Sequence, residues 1–366
     1  MVAHLTHAAS FEQTMLSLSK AALKEFCLAL LATCPPGAVA TSTLFFKVRR
    51  FAEGIPDVDL QLPLKMFEME HHRGTNGAAW AQSLFNQIWN ARQAPNFTHK
   101  TNAMVGLALV QDVTHLLRDG KLEDVFNKSK KWQPDSPSDP SLMEALSYFR
   151  LGVVRGRAHR YLGLFDDALK ILDESHKYYQ LIEHLYAHQD YRIWICEKAD
   201  TLRELGKLES AEKMLRNAIK RKRLVDLPGE SILDLSLAEV FFAQGRIKEC
   251  EELCAVVQKR RSLHGAESCR LNITLGKLHY AKPGGYKFWK EALDLFSTPD
   301  VSLATTLMVS SAALTCAKTE EEMATVKHLS VEELEADLPL KLEDSKYVGL
   351  YMVSGLLRFV GSAGLV

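Results

Sequence analysis

The sequence predicts an all-α protein, a right-handed superhelix (solenoid) of antiparallel helix pairs closed by helical caps at both ends. Three observations predict it. Gly is 20 and Pro 12 in 366 residues, too few chain-breakers for an all-β protein of this length. Apolar residues recur at helical spacing through much of the chain. One short pattern also returns at a nearly constant interval, the mark of an internal repeat.

Residues 1–95 read as a helical capping region. A long amphipathic segment over 11–34 ends at Pro35-Pro36-Gly37, where two prolines remove two backbone donors. The stretch 45–64 mixes short apolar runs with Gly54, Pro56 and Pro63 and predicts no firm element. A second helix is expected over 77–92, with Trp80, Leu84, Ile88 and either Phe85 or Trp89 on one face, closed by Pro95.

Repeats are expected over 102–327. The segments starting at Asp119-Gly120-Lys121, Leu162-Gly163-Leu164, Leu205-Gly206-Lys207 and Gln244-Gly245-Arg246 share one rule: Gly, any residue, apolar, two polar, then a small residue. Subtracting positions puts the glycines 43, 43 and 39 residues apart. Each unit holds a helix A, a turn and a helix B. The Gly takes the positive-φ position that ends helix A. The small residues Ala168 and Ala211 let helix B lie close against helix A, and Gly156, Ala199 and Ala238 are their partners.

This pattern resembles the tetratricopeptide repeat. Gly156, Gly163, Phe165, Ala168 and Leu172 carry the likeness best, followed by Ala199, Gly206, Leu208, Ala211, Leu215 and Ala218. The unit is longer than the usual ~34 residues and lacks the closing Pro, which looks more like the long repeats of kinesin light chain or MalT-type regulators. A fifth unit runs through Leu275-Gly276, Tyr286, Ala292 and Phe296, and a degenerate sixth over 302–326. Residues 328–366 read as C-terminal capping helices. Their last segment, 347–366, is apolar except for Arg358 and a few Ser. A charge there would cost about 2.5–3.5 kcal/mol in mid-membrane, so a cap is expected rather than an anchor.

Lys+Arg and Asp+Glu both total 45, which excludes a generally cationic nucleic-acid binder and a polyacidic tail protein. Hydrophobic residues at 47% and charged residues at 25% exclude wholesale disorder. Seven cysteines without a CxxC pair, and no secretory leader in the first residues, predict free thiols and a cytoplasmic location.

Local motifs for chemistry are sparse, and no cofactor is expected. Asp166-Asp167 opens a helix B, where acids suit the dipole. His184 and His188 stand one helical turn apart without a third metal ligand implied. Cys250 and Cys254 fall at packing positions. The basic run 216–223 and Lys259-Arg260-Arg261 fall at ends of B helices, where cations complement the dipole. No P-loop, dinucleotide fingerprint or GxSxG elbow is present.

The resemblance implies that five positions of each helix A face a concave groove. Carried over, they give Arg150, Val153, Arg157, Arg160 and Tyr161; then Ile193, Cys196, Asp200, Arg203 and Glu204; then Ile232, Leu235, Glu239, Phe242 and Ala243; and then Arg270, Ile273, Lys277 and Tyr280. The candidate ligand-binding set is Arg150, Arg157, Arg160, Tyr161, Asp200, Arg203, Glu239, Lys277 and Tyr280. Three guanidiniums crowded on one helix face need acidic partners, and Asp200, Glu204 and Glu239 are candidates; bare arginines would favour a carboxylate or phosphate ligand. The implied function is a binding scaffold for a peptide, partner protein or acidic ligand, without nucleic acid or membrane. The alternative is an all-helical enzyme of a biosynthetic pathway, its pocket between the groove and an N-terminal region that carries His71, His72, Trp80 and Trp89.

Overall fold

The computed structural model describes residues 78–91, 99–183, 188–221, 231–260, 265–279 and 285–295, together with residue 263 and isolated positions between 19 and 69. All regular structure among the described residues is α-helical apart from single 3-10 positions at helix ends. Apart from those isolated positions, the expected helix over 11–34 and the unassigned stretch 45–64 lie outside the described residues. So do His71, His72, His184, Tyr280, the sixth unit over 302–326 and the tail 328–366.

The chain divides into two compact units. The first comprises Met1–Thr114, Asn127–Leu151 and Gln180–Tyr186; the second comprises His115–Phe126, Gly152–Tyr179 and Ala187–Val366. The helices are α1 (Ala78–Asn90), α2 (His99–Arg118), α3 (Leu122–Ser129), α4 (Leu142–Tyr161), α5 (Phe165–Ile182) and α6 (His188–Glu204). They continue with α7 (Leu208–Ile219), α8 (Ser231–Ala243), α9 (Ile247–Gln258), α10 (Gly265–Leu278) and α11 (Gly285–Asp294).

In the first unit α1 buries Ala81, Leu84, Phe85 and Ile88. Trp80, expected on that face, is instead 49% exposed, and its indole N–H donates to Glu68 Oε1 at 3.2 Å. The segment after α3 carries a buried Trp132, whose ring N–H donates to Asn102 Oδ1 at 2.9 Å and to the Asn102 carbonyl at 3.1 Å. Gly106 makes room for that ring, since a Cβ there would stand 2.3 Å from it. Ser141 and Glu144 form a capping box at the start of α4, with the Ser141 N–H donating to Glu144 Oε2 at 3.0 Å. Burial pushes the Glu144 carboxyl up, but donors from Asp135, Asn102 and Ser141 outweigh it and hold the group below its usual range.

The second unit is built on one turn used four times. Gly120, Gly163, Gly206 and Gly245 have φ of 73°, 75°, 73° and 73°, a region that costs any residue with a Cβ. Each closes helix A with a Schellman pair of hydrogen bonds. At Gly163 the bonds are Gly163 N–H to Arg160 O at 3.0 Å and Leu164 N–H to His159 O at 2.9 Å. The equivalent bonds at Gly206 run to Arg203 O and Leu202 O, and at Gly245 to Phe242 O and Phe241 O. Helix B starts immediately after, and its small residue is fully buried: Ala168 in α5, Ala211 in α7 and Cys250 in α9. Gly156 serves the α4–α5 contact, where a Cβ would stand 2.8 Å from Leu172.

Successive pairs then stack. Helices α6 and α7, α8 and α9, and α10 and α11 pack within pairs. Helix A packs on the next helix A, α6 on α8 and α8 on α10, while α7 packs on α8 and α9 on α10. Val153, Cys196, Leu235 and Ile273, expected on a groove wall, are buried instead. An aromatic stack ties α5 to α6: Tyr179 and Tyr191 lie 4.1 Å apart between ring centroids, and Trp194 donates to the Leu172 carbonyl at 2.9 Å.

Candidate functional site

The charged residues of the A helices in the second unit form a ladder of two ion-pair groups, linked by the charge of Arg160 acting on Asp200 and Glu204. On α4, Arg157 and Arg160 are three residues apart, so both side chains leave the same face. Both meet Glu197 of α6. Arg157 Nε and Nη2 lie 2.8 and 2.7 Å from Glu197 Oε1, and Arg160 Nη2 lies 3.1 Å from Oε2. The Arg160 guanidinium also stands 5.3 Å from the centroid of the Tyr161 ring.

The ladder continues one turn along α6. Arg203 Nη2 donates to Glu204 Oε1 at 3.0 Å, and Arg203 Nη1 pairs with Glu239 of α8 and, at 3.8 Å, with Asp200 Oδ1. From α10, Arg270 Nη2 lies 2.7 Å from Asp200 Oδ1 and 3.6 Å from Glu239 Oε2. Lys277, two turns further along α10, places Nζ 3.9 Å from Glu239 Oε1. The corresponding groove positions of the four A helices thus read Arg157, Asp200, Glu239 and Lys277, two carboxylates flanked by two cations.

These groups are mostly withdrawn from water. The Asp200, Glu197 and Glu239 side chains are 5%, 8% and 8% exposed, whereas Arg157 keeps 32%. Burial alone would raise the Asp200 carboxyl, but Arg270, Arg203 and Arg160 overcome it and hold it at about 2. Glu197 stays below the usual carboxylate range for the same reason: Arg157 and Arg160 outweigh its burial. Burial pushes the Lys277 ammonium down to about 8, with Arg203 acting in the same direction and Glu204 against it. Burial also raises the Cys196 thiol to about 12, so it is no nucleophile near neutral pH.

Of the sequence-derived candidates, Arg157, Arg160, Tyr161, Asp200, Arg203, Glu239 and Lys277 come together in this face. Arg150, half-buried on α4, falls in the first unit, and Tyr280 lies outside the described residues. The α4 arginines are paired rather than bare, and their partner is Glu197, which the groove positions did not include. Arg270 also belongs to the ladder. Glu197 is legible afterwards: it stands three residues before Asp200, on the next A helix after the one that carries Arg157 and Arg160.

Other motifs have structural places. Asp166 and Asp167 occupy the first turn of α5. Cys196, Cys250, Cys254 and Cys269 are free and buried. No group of three or more His, Cys, Asp or Glu among the described residues is arranged to hold a metal ion, and none of the described helices is long and apolar enough to cross a membrane.

No family model matches the chain. No curated protein matches it either. Among solved structures it is similar to one described as the Rap conjugation gene regulator of the plasmid pLS20 in complex with the Phr* peptide, with 14% identity and a TM-score of 0.43. That likeness covers 93% of this chain and 91% of the other.

Proposed function

We propose that the protein is a non-catalytic scaffold that holds an acidic peptide or the acidic segment of a partner protein along the ladder of α4, α6, α8 and α10. The reading includes a tetratricopeptide-like superhelix over 102–327, with helical caps at 1–95 and 328–366. Four identical glycine turns and the regular packing of A on A and B on the next A support the array.

One observation carries the functional reading. Among the described residues, the ladder gathers five cations (Arg157, Arg160, Arg203, Arg270 and Lys277) against four carboxylates (Glu197, Asp200, Glu204 and Glu239). At the α4 end Arg157 and Arg160 both pair with Glu197, and Arg157 is the most exposed member of that group. A carboxylate from a ligand restores the balance there through charge-assisted hydrogen bonds that a planar guanidinium is shaped to make. A stack of helix pairs presents such a face without ordering it on binding, which lowers the entropic cost of association.

The test is selection of a random displayed-peptide library on the full chain. Enrichment of Asp- and Glu-containing peptides, whose binding falls steeply with salt, is the expected result. Enrichment of apolar or basic peptides alone would remove the reading.

A further inference from the structure

Lys277 stands apart from every other cation of the ladder. Arg157, Arg160, Arg203 and Arg270 each lie within hydrogen-bonding distance of a carboxylate, at 2.7–3.1 Å. The Lys277 ammonium has three donors. Its only carboxylate neighbour in ion-pair range among the described residues is Glu239 Oε1 at 3.9 Å, beyond hydrogen-bonding reach. The side chain is only 20% exposed, so water replaces those bonds incompletely.

The surrounding charges come from three helices. Helix α6 supplies Asp200, Arg203 and Glu204, α8 supplies Glu239, and α10 itself supplies Arg270. On α9 the Cys250 thiol lies within electrostatic reach. On α11 Lys287 pairs with Glu291 at 3.6 Å and takes no part. With Lys277 charged, these groups balance: Arg203, Arg270 and Lys277 against Asp200, Glu204 and Glu239. With Lys277 neutral, one negative charge is left in excess within this group, and the ladder as a whole, with Arg157, Arg160 and Glu197 added, falls from five cations against four carboxylates to four against four.

We infer that anion binding on the ladder is coupled to the protonation of Lys277, so that the face accepts an acidic ligand when this amine is charged and loses affinity when it is neutral. The inference rests on the proposed function and adds its regulation. An arriving anion supplies the acceptor that the ammonium lacks and strengthens its hold on the proton. Deprotonation removes a donor and one positive charge, which cancels the ladder's excess of one cation over its carboxylates. Burial holds this amine at about 8 rather than the ordinary 10.5, which brings the switch close to neutral pH. Asp200 stays ionised throughout that window. Affinity therefore falls as pH rises through about 8.

The experiment is a carbon-13 NMR titration of the full chain labelled at lysine Cε. The Lys277 signal is assigned by its loss in Lys277→Arg, or in Lys277→Gln should the first variant not fold. The titration is run in chloride and in sulfate at equal ionic strength, sulfate serving as an anion that does not itself titrate in this range. The expected result is a midpoint near 8 in chloride, raised by about half a unit or more in sulfate, a threefold or greater gain in proton affinity. A midpoint near 10.5 in chloride overturns the inference, and so does a midpoint that sulfate leaves in place. Neither outcome decides the acidic-peptide reading, which fails instead in the composition of the selected peptides.

Discussion

Arg160 of α4 and Glu197 of α6 meet at 3.1 Å with side chains only 10% and 8% exposed, so one helix pair is joined to the next by a nearly dry ion pair. Arg157 binds the other oxygen of the same carboxylate. Removing one partner from such a group strands the other charge away from water. Glu197→Ala should therefore destabilise the fold by about 3–5 kcal/mol, whereas the triple variant Arg157→Gln, Arg160→Gln, Glu197→Gln should lose much less. Urea unfolding followed by circular dichroism reads both. Equal midpoints for Glu197→Ala and the natural sequence would show that this pair does not hold the repeats together.

Acid should weaken the second unit in a defined window. The Asp200 carboxyl is held at about 2 against an ordinary 3.8, so its stabilisation is fully present above the ordinary value and is lost as pH falls toward the lower one. That difference is worth about 2 kcal/mol. Stability measured from pH 5 down to about 2 should fall, and Asp200→Asn should flatten that part of the curve. A variant with the full acid dependence would place the effect on other carboxylates.

Helix contact within a repeat depends on small residues. Ala168 and Ala211 are 0% exposed. Replacing either with Leu forces three additional heavy atoms into a filled contact and should cost roughly 1–3 kcal/mol. Unchanged melting of both variants would mean that these helix pairs are not packed as described.

The buried thiols should be silent. Cys196, Cys250, Cys254 and Cys269 are free, and burial raises Cys196 to about 12 and Cys269 to about 11. Native protein at pH 8 should leave all four unmodified by an aromatic disulfide reagent, and denaturant should release them. Rapid reaction of Cys196 in the native state would mean that the α6 face opens to solvent.

Much of this fold was legible in the residues, and the reasons are local. Gly120, Gly163, Gly206 and Gly245 each sit where only a residue without a Cβ is comfortable, so their spacing alone located the A–B turns. Ala168 and Ala211 marked helix contacts because size at a crossing point is a local requirement. Trp132 was not legible: its hydrogen bonds reach back thirty residues to Asn102, outside any helical period. Trp80 belongs by periodicity to the buried face of α1, yet its polar edge takes it to Glu68. The ladder was legible in part. Positions carried over from the repeat pattern found Arg157, Asp200, Glu239 and Lys277, but Glu197 lies off that register. Its role comes from the charges of the preceding helix, which a single repeat does not contain.

The central claim is that the excess positive charge of the ladder receives an acidic ligand. It is tested most directly by the affinity of a library-selected acidic peptide for the triple variant Arg157→Gln, Arg160→Gln, Glu197→Gln, which removes that excess without stranding a buried charge. At matched salt and pH, with circular dichroism confirming an unchanged helical fold, the peptide should bind at least about tenfold more weakly, a loss of about 1.4 kcal/mol. Equal affinity for the variant and the natural sequence would contradict the account and move the binding site away from α4 and α6.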